Sequence, residues 1–116
     1  MNIFFDIQGT LVAAGTARPH VREVFLTLTE EGHHVYLWTG GGLEYAKRIA
    51  EFLEINDIIS GCVSKADRPP VKVDFVVDDE QSMIETYGGH TVSLFIGDPN
   101  DDELWKVVES VRRVAN

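Results

Sequence analysis

The chain contains little cysteine and few basic residues. Its single cysteine, Cys62, cannot form a disulfide within the chain, so a reducing compartment, the cytoplasm, is the simplest expectation. Lysine and arginine together number 10 against 19 aspartates and glutamates, which gives a formal net charge of −9. Binding to a nucleic-acid backbone needs clustered cations, so we do not expect this class of partner.

Long apolar runs are also missing. No segment approaches the roughly 20 consecutive apolar residues that a membrane-spanning helix needs. Residues 1–12 lack the basic region and the long apolar region of a signal peptide. An anionic membrane surface would repel so acidic a chain. We therefore expect no association with a membrane.

The chain has 116 residues, which fit one domain over residues 1–116. Two periods of apolar residues alternate along it. Short apolar runs predict five strands, and apolar residues three or four positions apart predict helices. The predicted strands cover about residues 2–5, 35–38, 58–63, 73–77 and 91–96. The predicted helices cover about residues 21–31 and 43–53, a short segment ending at 87, and a final helix after Asp101 or Asp102 with a core face extending to Val114.

This order of elements predicts an α/β protein. We expect a Rossmann-like three-layer α/β/α sandwich with a mostly parallel, five-stranded sheet. In such sheets, ligands bind beyond the carboxyl ends of the strands. Three of the predicted strands end in Asp6, in Thr39 and in the pair Asp78–Asp79. These side chains should therefore meet at one edge of the sheet.

The residue types at these strand ends suit a cation and a phosphate. Carboxylates held close together repel each other unless a cation lies between them, and Mg²⁺ prefers oxygen ligands. Asp6 and Asp78 are the natural pair, and Asp79 could bind the metal directly or hold a coordinated water. Thr39 and the amides of residues 40–42 precede a helix, which is a favourable place for phosphate oxygens.

Three sequence motifs resemble those of the haloacid dehalogenase (HAD) superfamily. The segment DIQGTL at residues 6–11 is similar to the family's first motif, DxDGTL. The apolar run ending in Thr39 resembles the second motif, and the run ending in Asp78–Asp79 resembles the fourth. The third motif is a single basic residue, for which Lys65 is the first choice and Arg68 and Lys72 are rivals. Three short motifs in the family's order are much more specific than any one of them.

The resemblance implies a capless, HAD-like phosphatase. Asp6 would be the nucleophile that forms an aspartyl-phosphate. Mg²⁺ would be held by Asp6, by the backbone carbonyl of Gln8 and by Asp78, with Asp79 as a possible further ligand. Thr39 and Lys65 would hold the phosphoryl oxygens.

Gln8 departs from the family pattern. The family's phosphatases have a second aspartate at this position, which protonates the leaving group and later activates water. A carboxamide can do neither near neutral pH, although it can orient a water molecule. We therefore predict slow turnover, a long-lived phosphoenzyme or no activity.

The chain leaves no room for the family's substrate-selecting cap domain. Only residues 12–18 separate the first motif from the next helix, and residues 43–64 are accounted for by a helix and a strand. An open site suits a large phosphorylated substrate, such as a macromolecule, or a site that a neighbouring subunit closes. Substrate identity and oligomeric state stay open.

Other interpretations of the same residues also stay open. The chain could be a catalytically impaired HAD-like module that binds metal or phosphate, or acts through a partner, with Gln8 a relic. Asp78 and Asp79 could merely cap the following helix, and Lys65 could be a solvated loop residue. A response-regulator receiver domain ranks lower, because its acidic pair normally follows the first strand.

Overall fold

The computed structural model describes residues 1–115. Its secondary structure is seven strands and four helices within that range. The strands are β1 (Asn2–Asp6), β2 (Val12–Ala13), β3 (Thr16–Ala17), β4 (His34–Thr39), β5 (Gly61–Ser64), β6 (Phe75–Asp78) and β7 (Gly89–Thr91). The helices are α1 (Val21–Glu30), α2 (Leu43–Phe52), α3 (Gln81–Tyr87) and α4 (Glu103–Ala115).

Five of the strands form one parallel sheet in the order β5-β4-β1-β6-β7. The three central strands are apolar because helices cover both faces of the sheet. One face packs against α1, α2 and α4 through the larger buried cluster. The other face carries Phe4, Trp38 and Val76 and packs against Met83 and Ile84 of α3. This arrangement confirms the predicted α/β fold with a parallel five-stranded sheet.

The third and fifth predicted strands are shorter than their apolar runs. Ile58 and Ile59 lie in a turn, where both of their N–H groups donate to the carbonyl of Ile55. The fifth strand ends at Thr91, and the chain then crosses the strand ends, so that the N–H of Phe95 donates to the carbonyl of Gly9 at 2.9 Å. An apolar run alone does not distinguish a strand from a packed crossing segment.

Two smaller features also differ from the prediction. The short stretch after the first strand contains a hairpin of β2 and β3. Its two loop residues, Ala14 and Gly15, have φ angles of 48° and 76°, as the tight hairpin turn requires. Val114 is 61% exposed, because the buried face of α4 ends at Val111.

Gly89 is needed where β7 approaches its neighbour. A Cβ atom at this position would lie 1.9 Å from the carbonyl oxygen of Val76. Glycine therefore allows the edge strand to pair with β6. Within residues 1–115, none of the helices has both the length and the apolarity needed to cross a membrane.

Candidate functional site

The carboxyl ends of the central strands form the floor of a cleft. Asp6 ends β1, Thr39 ends β4 and Asp78 ends β6. Parallel pairing of these strands brings the three ends to the same edge of the sheet. The cleft has a volume of about 710 Å³. Its lining includes Asp6, Ile7, Gln8, Thr39, Gly40, Gly41, Tyr45, Arg48, Lys65, Asp79 and Glu80.

Three carboxylates meet at this edge of the sheet, of which Asp6 and Asp79 line the cleft and Asp78 is buried beside them. One oxygen from each of Asp6, Asp78 and Asp79 lies within 4.8 Å of the other two. Asp78 is only 1% exposed, and its Oδ1 accepts a hydrogen bond of 3.0 Å from the N–H of Glu80. This bond closes a turn before α3, whose N-cap residue is Glu80 and which has no side-chain capping bond, so Asp78 does not cap that helix.

Lys65 is the cation that faces the carboxylates. Its Nζ lies 2.9 Å from Asp6 Oδ1 and 3.4 Å from Asp78 Oδ2. The backbone N–H of Lys65 donates to the carbonyl of Thr39 at 2.7 Å, which fixes the residue just beyond β5. Burial opposes the charge on Lys65, but its hydrogen bond and attraction to Asp6, together with attraction to Asp78, raise its pKa overall.

The two rival basic residues lie elsewhere. Arg68 is exposed and does not line the cleft. Lys72 precedes β6 and lies 3.8 Å from Asp74, at the amino end of that strand and so opposite the cleft. Of the three basic residues considered from the sequence, only Lys65 is brought to the acidic cluster.

Asp6 has an unusual acidity in this environment. Burial is the main cause that raises its pKa from the usual 3.8 to about 6, against the lowering effect of Lys65. The charge of Asp78 and a hydrogen bond with Asp79 contribute to this rise. One ammonium group therefore does not fully neutralise three neighbouring carboxylates.

Thr39 lies beside the start of α2. Its Oγ1 accepts a hydrogen bond of 2.9 Å from the N–H of Gly41, and the residue is only 2% exposed. Because the hydroxyl accepts here, its own proton remains available for a ligand in the cleft. This position, near the amino end of the ten-residue helix α2, suits a phosphoryl oxygen.

Gln8 lies on the same wall and is held by a residue that sequence reasoning missed. The hydroxyl of Tyr45 donates a hydrogen bond of 2.9 Å to Gln8 Oε1. Burial, and secondarily the charge of Asp6, raise the pKa of Tyr45. The phenol therefore stays protonated at neutral pH, and the amide nitrogen of Gln8 is left as the group that can donate to a ligand.

Thr10 and Arg18 were also not predicted from the sequence, and both stabilise the first-motif segment, residues 6–11. The hydroxyl of Thr10 lies 3.3 Å from Asp6 Oδ2 and 3.2 Å from Asp79 Oδ1. Arg18 has a fully buried side chain that donates to the carbonyl of Thr10 at 3.1 Å and to both carboxylate oxygens of Asp101. Thr10 belongs to the DIQGTL motif and could have been found there; Arg18 has no local sequence signal.

The acidic cluster fits a magnesium ion. Opposite ligands of an octahedral Mg²⁺ are about 4.2 Å apart, because each metal–oxygen bond is about 2.1 Å. The three carboxylate oxygens lie within 4.8 Å of one another, so small side-chain movements would bring them to ligand positions. The hard oxygen donors and their surplus negative charge also suit this cation.

The comparisons with known proteins leave the family unassigned. A scan against protein-family models finds no match, and a search of curated proteins finds no match either. The geometry of the cleft is therefore the observation on which a functional conclusion depends.

Proposed function

We propose that the chain is a Mg²⁺-dependent phosphohydrolase of the HAD type that acts on phosphate monoesters through an aspartyl-phosphate at Asp6. The observation that supports this most strongly is the cluster of Asp6, Asp78 and Asp79 around Lys65 at the edge of the sheet. Helix capping does not account for this cluster, because α3 has no side-chain capping bond and a half-buried lysine lies between two of the carboxylates. The position of Thr39 on the same cleft adds a donor for phosphate.

In this proposal, Asp6, the backbone carbonyl of Gln8 and Asp78 hold the metal. Asp79 binds it directly or through a coordinated water. When bound, Mg²⁺ supplies positive charge that offsets both the carboxylates and the transferring phosphoryl group.

The first step is phosphoryl transfer to Asp6. A carboxylate oxygen of Asp6 forms a bond to phosphorus while the bond from phosphorus to the alcohol oxygen breaks. The alcohol oxygen departs with that electron pair. Lys65 and the hydroxyl of Thr39 donate hydrogen bonds to the phosphoryl oxygens, where charge develops.

The second step is hydrolysis of the aspartyl-phosphate. Water attacks phosphorus, inorganic phosphate leaves and the Asp6 carboxylate is regenerated. Gln8 cannot accept the proton of that water, because a carboxamide is not a base near neutral pH. It can orient the water by hydrogen bonding, so we expect the second step to be slow.

Trapping with beryllium fluoride, a phosphoryl mimic, tests the proposal. The mimic should bind the wild-type protein in the presence of Mg²⁺, as measured by ¹⁹F NMR. Asp6→Asn should abolish binding, whereas the matched control Asp67→Asn, on an exposed loop residue, should not. Binding that survives Asp6→Asn would contradict an aspartyl-phosphate at this position.

The same trapping experiment addresses the second candidate function, a catalytically impaired module. The observation that favours it is Gln8, which stands where a general acid would be expected. Such a module would bind Mg²⁺ or phosphate but would form no adduct at Asp6. An adduct in the wild-type protein would therefore exclude this candidate.

A further inference from the structure

An apolar groove adjoins the acidic cleft. It has a volume of about 340 Å³, and its lining includes Val12, Ala14, Ile49 and Phe52. Gln8 and Tyr45 line both the groove and the cleft, so the two spaces are neighbours across this hydrogen-bonded pair. None of the residues described as lining the groove is charged.

The walls of the groove come from two different elements. Tyr45, Ile49 and Phe52 lie four and then three residues apart on α2 and therefore share one face of that helix. Ala14 and its neighbours form the turn of the β2–β3 hairpin opposite. Phe52 is 54% exposed, so its ring is accessible to a ligand in the groove.

A second, chemical observation concerns the leaving group. The residue where a proton donor would be expected is Gln8, and the nearby hydroxyl of Tyr45 already donates its proton to Gln8 Oε1. Neither side chain therefore presents a free acidic proton to a departing alkoxide. A phenol, whose pKa is about 10, departs readily as its anion, whereas an aliphatic alcohol does not.

From these two observations we propose that the substrate is an aryl phosphate, with its phosphate at Asp6 and its aromatic ring in the groove beside Phe52 and Ile49. The inference rests on the proposed function and narrows its substrate class. The bond from phosphorus to the phenol oxygen breaks as Asp6 attacks, and the phenolate leaves with the electron pair. Its proton comes later from solvent water.

Single-turnover kinetics with excess protein and Mg²⁺ test this inference, because release of the alcohol reports only the first step. We expect phenyl phosphate to react at least about 10²-fold faster than glycerol phosphate. In Gln8→Asp, which supplies a proton donor, the ratio of the phenyl phosphate rate to the glycerol phosphate rate should fall by at least about tenfold. In Gln8→Asn, this ratio should stay the same. A short peptide with one phosphotyrosine tests whether the aryl group can belong to a protein chain.

The groove itself is tested by Phe52→Ser. This variant should weaken binding of phenyl phosphate by about five- to tenfold more than binding of glycerol phosphate, because only the ring contacts the groove. Val114→Ser, an exposed apolar residue on α4, is the matched control and should change neither. Circular dichroism of both variants checks that each is folded.

Acetyl phosphate separates failure of this inference from failure of the proposed function, because its leaving group needs no protonation. If acetyl phosphate phosphorylates Asp6 but phenyl and glycerol phosphates react equally fast, the aryl phosphate assignment is wrong and the phosphohydrolase proposal stands. An equal effect of Phe52→Ser on both esters leads to the same conclusion. If no donor phosphorylates Asp6, both are overturned.

Discussion

The ammonium group of Lys65 lies 2.9 Å from the carboxylate of Asp6. Residues 59 positions apart in the sequence are joined in this way because β5 and β1 run parallel on either side of β4. The contact places a permanent positive charge beside the proposed nucleophile. The same ammonium group lies 3.4 Å from Asp78, so three neighbouring carboxylates share one cation.

Lys65→Met should therefore make the protein more dependent on Mg²⁺. Without the ammonium group, three carboxylates face one another, and the free energy of unfolding of the metal-free protein should fall by about 2 kcal/mol or more. Mg²⁺ should raise the melting temperature of this variant more than that of the wild type. Lys47→Met, at an exposed lysine within α2, is the control. Equal Mg²⁺ shifts in the melting temperatures of all three proteins would contradict the prediction.

Asp6→Asn should stabilise the metal-free protein at neutral pH. The pKa of Asp6 is about 6 in the folded state against its usual 3.8 in the unfolded chain, so the folded state binds more protons than the unfolded state between these values. The wild type therefore loses stability as pH rises through this window, by up to about 3 kcal/mol. Urea titrations should show the largest advantage of the variant above about pH 6.5, shrinking towards pH 4.

Asp67→Asn serves as the control for that experiment, because Asp67 is exposed. Saturating Mg²⁺ should reverse the order and make the wild type the more stable protein, because the ion favours the ionised carboxylate. A pH-independent difference between the wild type and Asp6→Asn would show that the charge of Asp6 is not opposed by its surroundings.

Gln8→Asp should raise steady-state phosphatase turnover by about 10²-fold, because the new carboxyl group can exchange protons with the leaving group and with water. Gln8→Asn is the matched control, since it shortens the side chain equally without adding an acid. Phosphate release from phenyl phosphate measures both. If the two variants turn over equally, proton transfer at this position does not limit the reaction.

Arg18→Met should destabilise the fold by about 3–5 kcal/mol, because it leaves the carboxylate of Asp101 and the carbonyl of Thr10 without their buried partner. Arg18→Lys should recover little, since a single ammonium cannot reproduce the forked contact with both oxygens of Asp101. Arg22→Met, which breaks an exposed pair with Asp57, should have a small effect. Urea unfolding compares the three; similar losses at positions 18 and 22 would contradict this account.

The sequence was sufficient to predict the central strands and the meeting of their ends. The runs before Asp6, Thr39 and Asp78 are apolar and end abruptly in a polar residue, and alternation with helices makes the strands parallel. Convergence then follows from topology alone. The basic residue of the third motif could not be chosen from the sequence, because Lys65, Arg68 and Lys72 are close together there and only the course of the chain separates them.

The remaining parts of the site depend on contacts between distant segments. Tyr45 reaches Gln8 across 37 positions, and Arg18 reaches Asp101 across 83, so no local pattern indicates either pair. The run at residues 91–96 was predicted as a strand from its apolar character. In the structure Val92 and Phe95 are buried while Leu94 and Ile96 are exposed, which is the pattern of a segment that crosses the sheet edge.

Mg²⁺ binding measured by isothermal titration calorimetry tests the central claim most directly, because that claim requires the carboxylates of Asp6, Asp78 and Asp79 to form one metal site. The wild type should bind a single Mg²⁺ ion, Asp78→Asn should weaken binding by at least about tenfold, and Asp67→Asn should leave it unchanged. Equal Mg²⁺ affinity in the wild type and Asp78→Asn, with both proteins folded, would contradict the account.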